Sequence, residues 1–316
     1  MFTMDTRPWF SMIPGSSQEK EHFSALQARL APMFATLLPN PREPRTIVVI
    51  PSLSLDTEEL AKLVGVNHYE ERLLCLLLLL QMPNTHVIYV TSEPLKHSIV
   101  EYYLHLVPGV PSHHARKRLH TFSCHDASST PLSQKVLLRP RLMQHIQSTI
   151  VNRDATHMVC FNTTGLERTL AVQLGLPLFG CDPELSHLGS KSHGRELFRE
   201  AGIPLPDGYE HLSEEQEIFD AVTELKQKNP DLRKAVVKLN EGFSGEGNAI
   251  FSYEGAPRGS GLRAWVAEHL PQKLRFEAET EDWAHYSAKF KTMQGIVEAW
   301  LEGEDKRSPS VQCRIA

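Results

Sequence analysis

The sequence predicts an α/β chain: a parallel sheet covered by helices on both faces, then a smaller α+β region. Three observations predict it. Between about residues 46 and 185, short runs rich in Val, Ile and Leu alternate with longer helical stretches, the pattern of a buried parallel sheet. After Leu188 that alternation stops, and two strand-like runs flank a glycine-rich turn. The composition, 41% hydrophobic and 22% charged over 316 residues, is that of a globular protein with material for two domains.

Residues 1–45 read as a polar, proline-punctuated extension with one helix over SQEKEHFSALQARLAPMFATLL. RTIVVIPSLSL is a buried strand entering a Ser-rich loop, and a long helix is expected from Thr57 to Gln81. Its LLCLLLLL run is too short to span a bilayer and reads as a helix buried on most faces. THVIYVTS is a second strand, PLKHSIVEYYLHLV a helix and LHTFSC a short strand. RPRLMQHIQSTIV and GLERTLAVQLG are helices flanking the strand THMVCFNTT, and LPLFGCDP is the last strand of the series. In the second region SKSHGRELFREAGIPLPDGY is a helix stopped by Gly202 and two prolines, and EEQEIFDAVTELKQKNP is another, ended by Pro230. KAVVKLNEGFSGEGNAIFSY is a hairpin. SGLRAWVAEHLPQKL and WAHYSAKFKTMQ are helices, and GIVEAWLEG and SPSVQCRI are two antiparallel strands.

Net charge is −5 with pI near 6.3, so no global field favours nucleic acid or an anionic membrane. The basic run HHARKRLH (His113 to His120) reads as a solvated loop or helix end. Five scattered cysteines without a C-x-x-C pair argue against a disulfide framework or a zinc site, and for a reducing compartment. The first residues contain no apolar signal region, so a cytoplasmic protein is expected. SCHD (Ser123 to Asp126) sets a Cys beside a His, but adjacency in sequence does not bring side chains within reach. The sixteen histidines show no H-E-x-x-H spacing, and no metal ligands are assigned among them. The loops PSLSL (Pro51 to Leu55) and NTTGLE (Asn162 to Glu167) fall at carboxyl ends of parallel strands, where α/β sheets bind ligands. Asn162, Thr163 and Thr164 are therefore candidates for an acceptor site, or simply a helix cap.

The strongest chemical signal is VVKLNEGFSGEG, residues 236–247. A Walker A loop requires Lys-Ser or Lys-Thr after its glycines, whereas Lys238 precedes Gly242, Gly245 and Gly247 here. Glycines let backbone N–H groups approach phosphate closely, and a lysine on the entering strand can point at the same anion. Lys238 lies among apolar residues, where an ammonium is costly unless it is paired or holds a ligand. Lys191 opens a helix and could supply a second charge. IVEAWLEGED offers a strand edge able to read an adenine, with Glu304 or Asp305 beyond it for a ribose hydroxyl.

These residues, in this order, resemble the ATP-grasp superfamily. Three features carry the resemblance: the lysine-opened helix running to AGIPLP (Lys191 to Pro206), the V-x-K-x-x-x-G-x-(S/G)-x-G hairpin (Val236 to Gly247), and the V-E-x-(W/Y/F)-L-x-G strand (Val297 to Gly303). It covers about residues 186–316, with a lid subdomain over about 233–303. The preceding Rossmann-like parallel-sheet region, 46–185, looks like a pre-ATP-grasp domain. More loosely, the stretch from Phe161 to Phe198 is similar to carboxylate–amine ligases of the pheganomycin peptide-ligase type.

The resemblance implies ATP as cofactor, with a small carboxylate and an amine (an amino acid or peptide) as partners. The carboxylate would become an acyl phosphate that the amine then displaces. By the same resemblance Lys191 and Lys238 contact the phosphates, and Glu241, Gly242, Ser244, Gly245 and Gly247 form the lid. Glu298, the Ala299 carbonyl and the Leu301 N–H hold adenine, and Glu304 or Asp305 the ribose. Magnesium is also implied, but its carboxylate and Glu-x-Asn ligands have no counterpart after Asp305 and are expected downstream of Ala316. On that expectation the ATP-grasp region is incomplete and the chain a fragment. The alternative is a non-catalytic nucleotide-binding or interaction module. Neither nucleic-acid nor membrane partners are expected, and a homo-oligomer is compatible with the sequence.

Overall fold

In a computed structural model, which describes residues 12–54, 65–241, 247–278, 281–303, 305, 307 and 311, the chain divides into two compact units. One runs to Glu184 and the other begins at Leu185. The helices are α1 (Ser17–Gln27), α2 (Leu30–Leu37), α3 (His97–His105), α4 (Ser112–Arg116), α5 (Leu132–Leu137) and α6 (Pro140–Thr149). They continue with α7 (Gly165–Leu174), α8 (Lys191–Glu200), α9 (Glu215–Lys228), α10 (Leu262–Lys273) and α11 (Trp283–Met293).

The first unit holds four parallel strands, β1 (Arg45–Ile50), β2 (Thr85–Thr91), β3 (Leu119–Ser123) and β4 (Thr156–Cys160), in the order β3-β2-β1-β4. Side chains on a strand alternate between faces, and β1 shows why both faces are covered. Val48 and Ile50 join a core with Ile88, Val90, Met158 and residues of α1, α5, α6 and α7. Ile47 and Val49 join a second core with Val87, Tyr89, Leu74, Leu77 and Leu80. This is the α/β layering expected from the alternating sequence.

Three elements differ from the expectation. The helix expected over residues 17–38 is two helices, α1 and α2, and the break follows Gln27. Gln27's side-chain amide donates to the Leu178 carbonyl at 2.9 Å and accepts from the Leu178 N–H at 2.7 Å. Of the helix expected from Thr57, residues 57–64 lie outside the described residues, and Val66–Gln81 is a 3-10 helix. With three residues per turn, side chains three apart stack in line. Leu74, Leu77 and Leu80 are fully buried in that line, while Leu78 is 39% exposed. Leu73, Leu76 and Leu79 pack half-buried beside that line, so two of the helix's three edges face the core and the edge of Cys75 and Leu78 faces solvent. The strand expected over LPLFGCDP reduces to one parallel bridge, Met158 to Leu178, because Pro177 has no N–H to extend the ladder. The basic run is partly structural: Arg118 donates to the carbonyls of Leu80, Met82 and Thr85 at 2.6–3.0 Å, satisfying the end of the 3-10 helix.

The second unit is a five-stranded sheet of β5 (Gly208–Leu212), β6 (Lys234–Leu239), β7 (Asn248–Ser252), β8 (Arg275–Phe276) and β9 (Gly295–Ala299), ordered β5-β9-β6-β7-β8. Every pairing is antiparallel. On one face Ala235, Val237, Leu239, Ala249, Phe251 and Val297 pack with α9, α10 and α11. The alternate residues of β6 and β9, including Lys238 and Glu298, belong to the other face, and α8 packs against β5 and β9. The strands β5 and β8 were not expected; β5 follows α8, which stops at Glu200 before Gly202 at φ +69°. The strand expected over SPSVQCRI lies outside the described residues apart from Val311. Among the described residues no helix is long and apolar enough to cross a membrane.

Candidate functional site

The expected β6–β7 hairpin forms, with Lys238 opposite Asn248. Gly242, Ser244 and Gly245 lie outside the described residues, but both ends of their loop are placed. The Leu239 N–H donates to the Gly247 carbonyl at 2.9 Å. The buried Tyr286 hydroxyl lies 2.9 Å from the Gly247 carbonyl and 3.0 Å from that of Val237. A side chain rooted in α11 therefore pins the base of the loop. Glu241, at its start, is exposed.

Lys191 and Lys238 converge at this base. Ser190 caps α8, its Oγ accepting from the His193 N–H, so the helix begins at Lys191. Lys191 Nζ donates to the Leu239 carbonyl at 2.7 Å and reaches that of Asn240 at 3.4 Å. Burial, then the charge of Lys238, pull its pKa below the ordinary lysine value, against the weaker pull of Glu241 and Glu298. Two ammonium groups that repel each other thus stand at the base of the glycine loop. The arrangement is braced behind: Asn240 Oδ1 accepts from both the N–H and Oγ of Ser192, and Asn240 N–H donates to the Gln294 carbonyl at 3.0 Å.

Glu298 sits diagonally across from Lys238, since its direct partner on β6 is Val236. Its carboxylate pairs with Lys238 through one oxygen and with Arg195 through the other, the latter at 2.8 Å. Arg195 is buried and also binds Glu210 at 2.6 Å and the Pro206 carbonyl at 2.8 Å. Arg199 completes the chain by donating to Glu210 at 2.6 Å. Gly208 is required beside it, because a Cβ there would lie 2.8 Å from the Arg195 guanidinium and 2.5 Å from the Val297 carbonyl. Sequence reading missed Arg195 and Glu210. A signal existed: Lys191, Arg195 and Arg199 stand four residues apart, a basic stripe along one helix face that needs acceptors opposite.

The remaining candidates are spread along the end of β9. This strand lies inside the sheet, between β5 and β6, rather than at an edge, and the Ala299 N–H donates to the Asp207 carbonyl at 2.8 Å. Beyond Ala299 the Trp300 N–H still donates to the Lys234 carbonyl at 3.2 Å, and Leu301 follows and is 68% exposed. Asp305 pairs with Arg307 at 3.0 Å in solvent, and Glu304 lies outside the described residues.

In the first unit the two loops at the strand ends bind each other. Ser54 N–H donates to Asn162 Oδ1 at 2.8 Å, and Asn162 Nδ2 donates back to the Ser54 carbonyl at 2.9 Å. Thr164 caps α7 in a capping box with Glu167. Burial pushes the Cys124 thiol of SCHD up to about 11, the state of an inert cysteine.

Residues 183–254 match the sequence family described as IQCH-like, ATP-grasp. Two curated relatives are each similar to somewhat under two thirds of the chain. The IQ motif-containing protein H of Danio rerio is 26% identical over 221 residues, which is 65% of this chain and 21% of that protein. The L-propargylglycine--L-glutamate ligase of Streptantibioticus cattleyicolor is 27% identical over 202 residues, 62% of this chain and 42% of the ligase. The chain thus spans less than half the length of either.

Proposed function

From the ATP-grasp superfamily, to which this chain belongs, we propose an ATP-dependent carboxylate–amine ligase that binds ATP in the second unit. The observation that carries the reading is the convergence of Lys191 and Lys238 at the base of the glycine loop. The site fits a polyphosphate: the depressed Lys191 is held only by carbonyl oxygens among the bonds described, and an anion would restore its preference for the charged state. Lys191 and Lys238 would bind phosphate oxygens, aided by the N–H groups of the Glu241–Gly247 loop. Glu298, Ala299 and Leu301 would take the adenine, and Glu304 or Asp305 the ribose. Bound ATP supplies the phosphoryl group that activates a carboxylate toward an amine, a transfer that depends mainly on positioning and charge neutralisation, to which magnesium would contribute.

ATP titrated by calorimetry into wild type and Lys238→Ala tests the site. Losing one phosphate-binding cation should weaken binding by ~1.5–3 kcal/mol, the range for hydrogen bonds to charged groups. Equal affinities would remove Lys238 from the site. Acceptor-dependent ADP release over a panel of amino acids, with magnesium present, tests the reaction. A second reading, an interaction module that keeps the nucleotide site, is favoured by the IQCH-like character of the matching family. ATP binding without acceptor-dependent ADP release would select it.

A further inference from the structure

The spacing of histidines in the sequence points to no metal site, yet the fold assembles three metal-capable side chains from two elements. His193 and Glu196 are three residues apart on α8, hence on one helix face. His211 comes from β5. Ligand atoms of the three all lie within 4.8 Å of one another. The His193 and His211 rings meet edge to face, with centroids 5.0 Å apart.

His211 is aimed at this cluster by an irregular backbone. Its φ is +57°, a value that non-glycine residues seldom adopt, and the β5–β9 register shifts between Tyr209 and Leu212. Such bulges turn a side chain out of the regular alternation. The outcome is an imidazole between two oxygens: Nε2 is 2.8 Å from Glu196 Oε1, and Nδ1 is 3.3 Å from Gln294 Oε1. A neutral imidazole has one N–H to offer. In the tautomer that directs Nδ1–H at Gln294, the Nε2 lone pair is turned to the Glu196 side, where a cation can take it; in the other tautomer Nε2–H donates to Glu196. His193 is held in a similar way, its Nδ1 lying 3.1 Å from Ser190 Oγ. Both rings thus have an outer polar partner, the arrangement that orients histidines as metal ligands.

We propose that His193, Glu196 and His211 form a binding site for a divalent first-row transition ion of the zinc class. Two imidazoles and one carboxylate suit zinc and its neighbours; magnesium and calcium prefer all-oxygen shells. Tetrahedral bonds of 2.0–2.2 Å set ligand atoms about 3.4 Å apart, which a small rotation of the half-exposed Glu196 allows. Three protein ligands leave a fourth position for water. The ion would tie α8 to β5, and α8 is the helix that carries Lys191 and Arg195. The proposal stands on these residues alone and does not depend on the nucleotide reading.

The test uses the full chain without a histidine tag, stripped with chelator. Zinc is titrated in competition with a chromophoric chelator, and cobalt is added separately as an optical probe of tetrahedral coordination. The variants are Glu196→Gln, His211→Asn, which keeps a residue tolerant of positive φ, and His113→Ala/His114→Ala as a control in the other unit. The expected result is one tight zinc ion per chain, a cobalt d–d band, and a thermal transition raised by zinc. Affinity should fall at least about 10-fold in Glu196→Gln and His211→Asn, as changes around a metal commonly produce, and stay unchanged in the control. Equal affinity in wild type and Glu196→Gln, or loss in the control alone, would overturn the proposal. Glu196 is exposed on its helix, so Glu196→Gln remains informative should His211→Asn fail to fold.

Discussion

Replacing Arg195 by methionine tests how the second unit holds its charges. The Arg195 side chain is 7% exposed, and its partners Glu210 and Glu298 are each 13% exposed. Its guanidinium spends three donors on them and on the Pro206 carbonyl, at 2.6, 2.8 and 2.8 Å. Methionine preserves much of the stem's packing and removes the charge. Deleting one member of a buried ion pair costs ~3–5 kcal/mol, because the other charge is left buried without its partner. Here neither carboxylate is abandoned: Lys238 still holds Glu298, and Arg199 still holds Glu210. The expected loss is therefore at the lower end, ~3 kcal/mol. At ~3–5 °C per kcal/mol for a unit of this size, the melting transition should fall by about 10 °C. Calorimetry on the full chain reads this directly, and the transition that moves identifies the second unit. Adding Glu210→Gln should cost less than it does in the wild-type background, since the pair is already broken. A fall under about 2 °C would mean that water screens these charges and that the network does not hold α8 to the sheet.

Other substitutions probe the same logic. Lys191→Met should be at least as stable as wild type at pH 7: a lysine whose folded pKa is depressed binds its proton less tightly folded than unfolded, a penalty that fades as pH rises toward the unfolded value. Its stability advantage should shrink in alkaline melts while its ATP affinity falls at neutral pH, and a large destabilisation at pH 7 would refute the depressed lysine. Gly295→Ala should cost ~1–3 kcal/mol or more in chemical denaturation, because its Cβ would lie 2.4 Å from both the Lys238 carbonyl and the Phe290 ring. His157 is buried beside Phe34 and Phe179, its Nδ1 has no hydrogen-bond partner, and burial lowers its pKa to about 4. The first unit should therefore lose about 3 kcal/mol as pH falls from about 6.5 to 4, and His157→Phe should flatten that slope in acid melts.

The parallel sheet was legible because β1 and β2 carry continuous apolar runs, IVVI and VIYV, and burial on both faces leaves such runs little else to be. The leucine run was legible as buried but not as a 3-10 helix, since Leu74, Leu77 and Leu80 fit either period over so short a span. The strand β5 was hidden by its polar sequence, GYEHL, and by the positive φ at His211 that breaks its alternation. In the candidate site, Lys191 and Lys238 could be found by their spacing from glycines and prolines. Arg195, Glu210 and Asn240 could not be placed by motif, because what defines them is pairing across a sheet whose order, β5-β9-β6-β7-β8, is not the order of the sequence.

That pairing makes the two lysines unequal. Lys238 is already neutralised by Glu298, and Arg195 competes for the same carboxylate from the other oxygen. An anion can draw Lys238 away without stranding Glu298, because Arg195 remains bound to it. Lys191 has no carboxylate of its own among the bonds described and rests on two carbonyls of the chain that leads into the loop. A bound polyphosphate would therefore relieve a charge that folding leaves poorly compensated at Lys191, while exchanging one partner for another at Lys238. Most of the gain in binding should thus come from Lys191 and less from Lys238. If Lys191→Met and Lys238→Ala weaken ATP binding in the reverse order, the carbonyl contacts already satisfy Lys191, and the anion site is built chiefly on the strand.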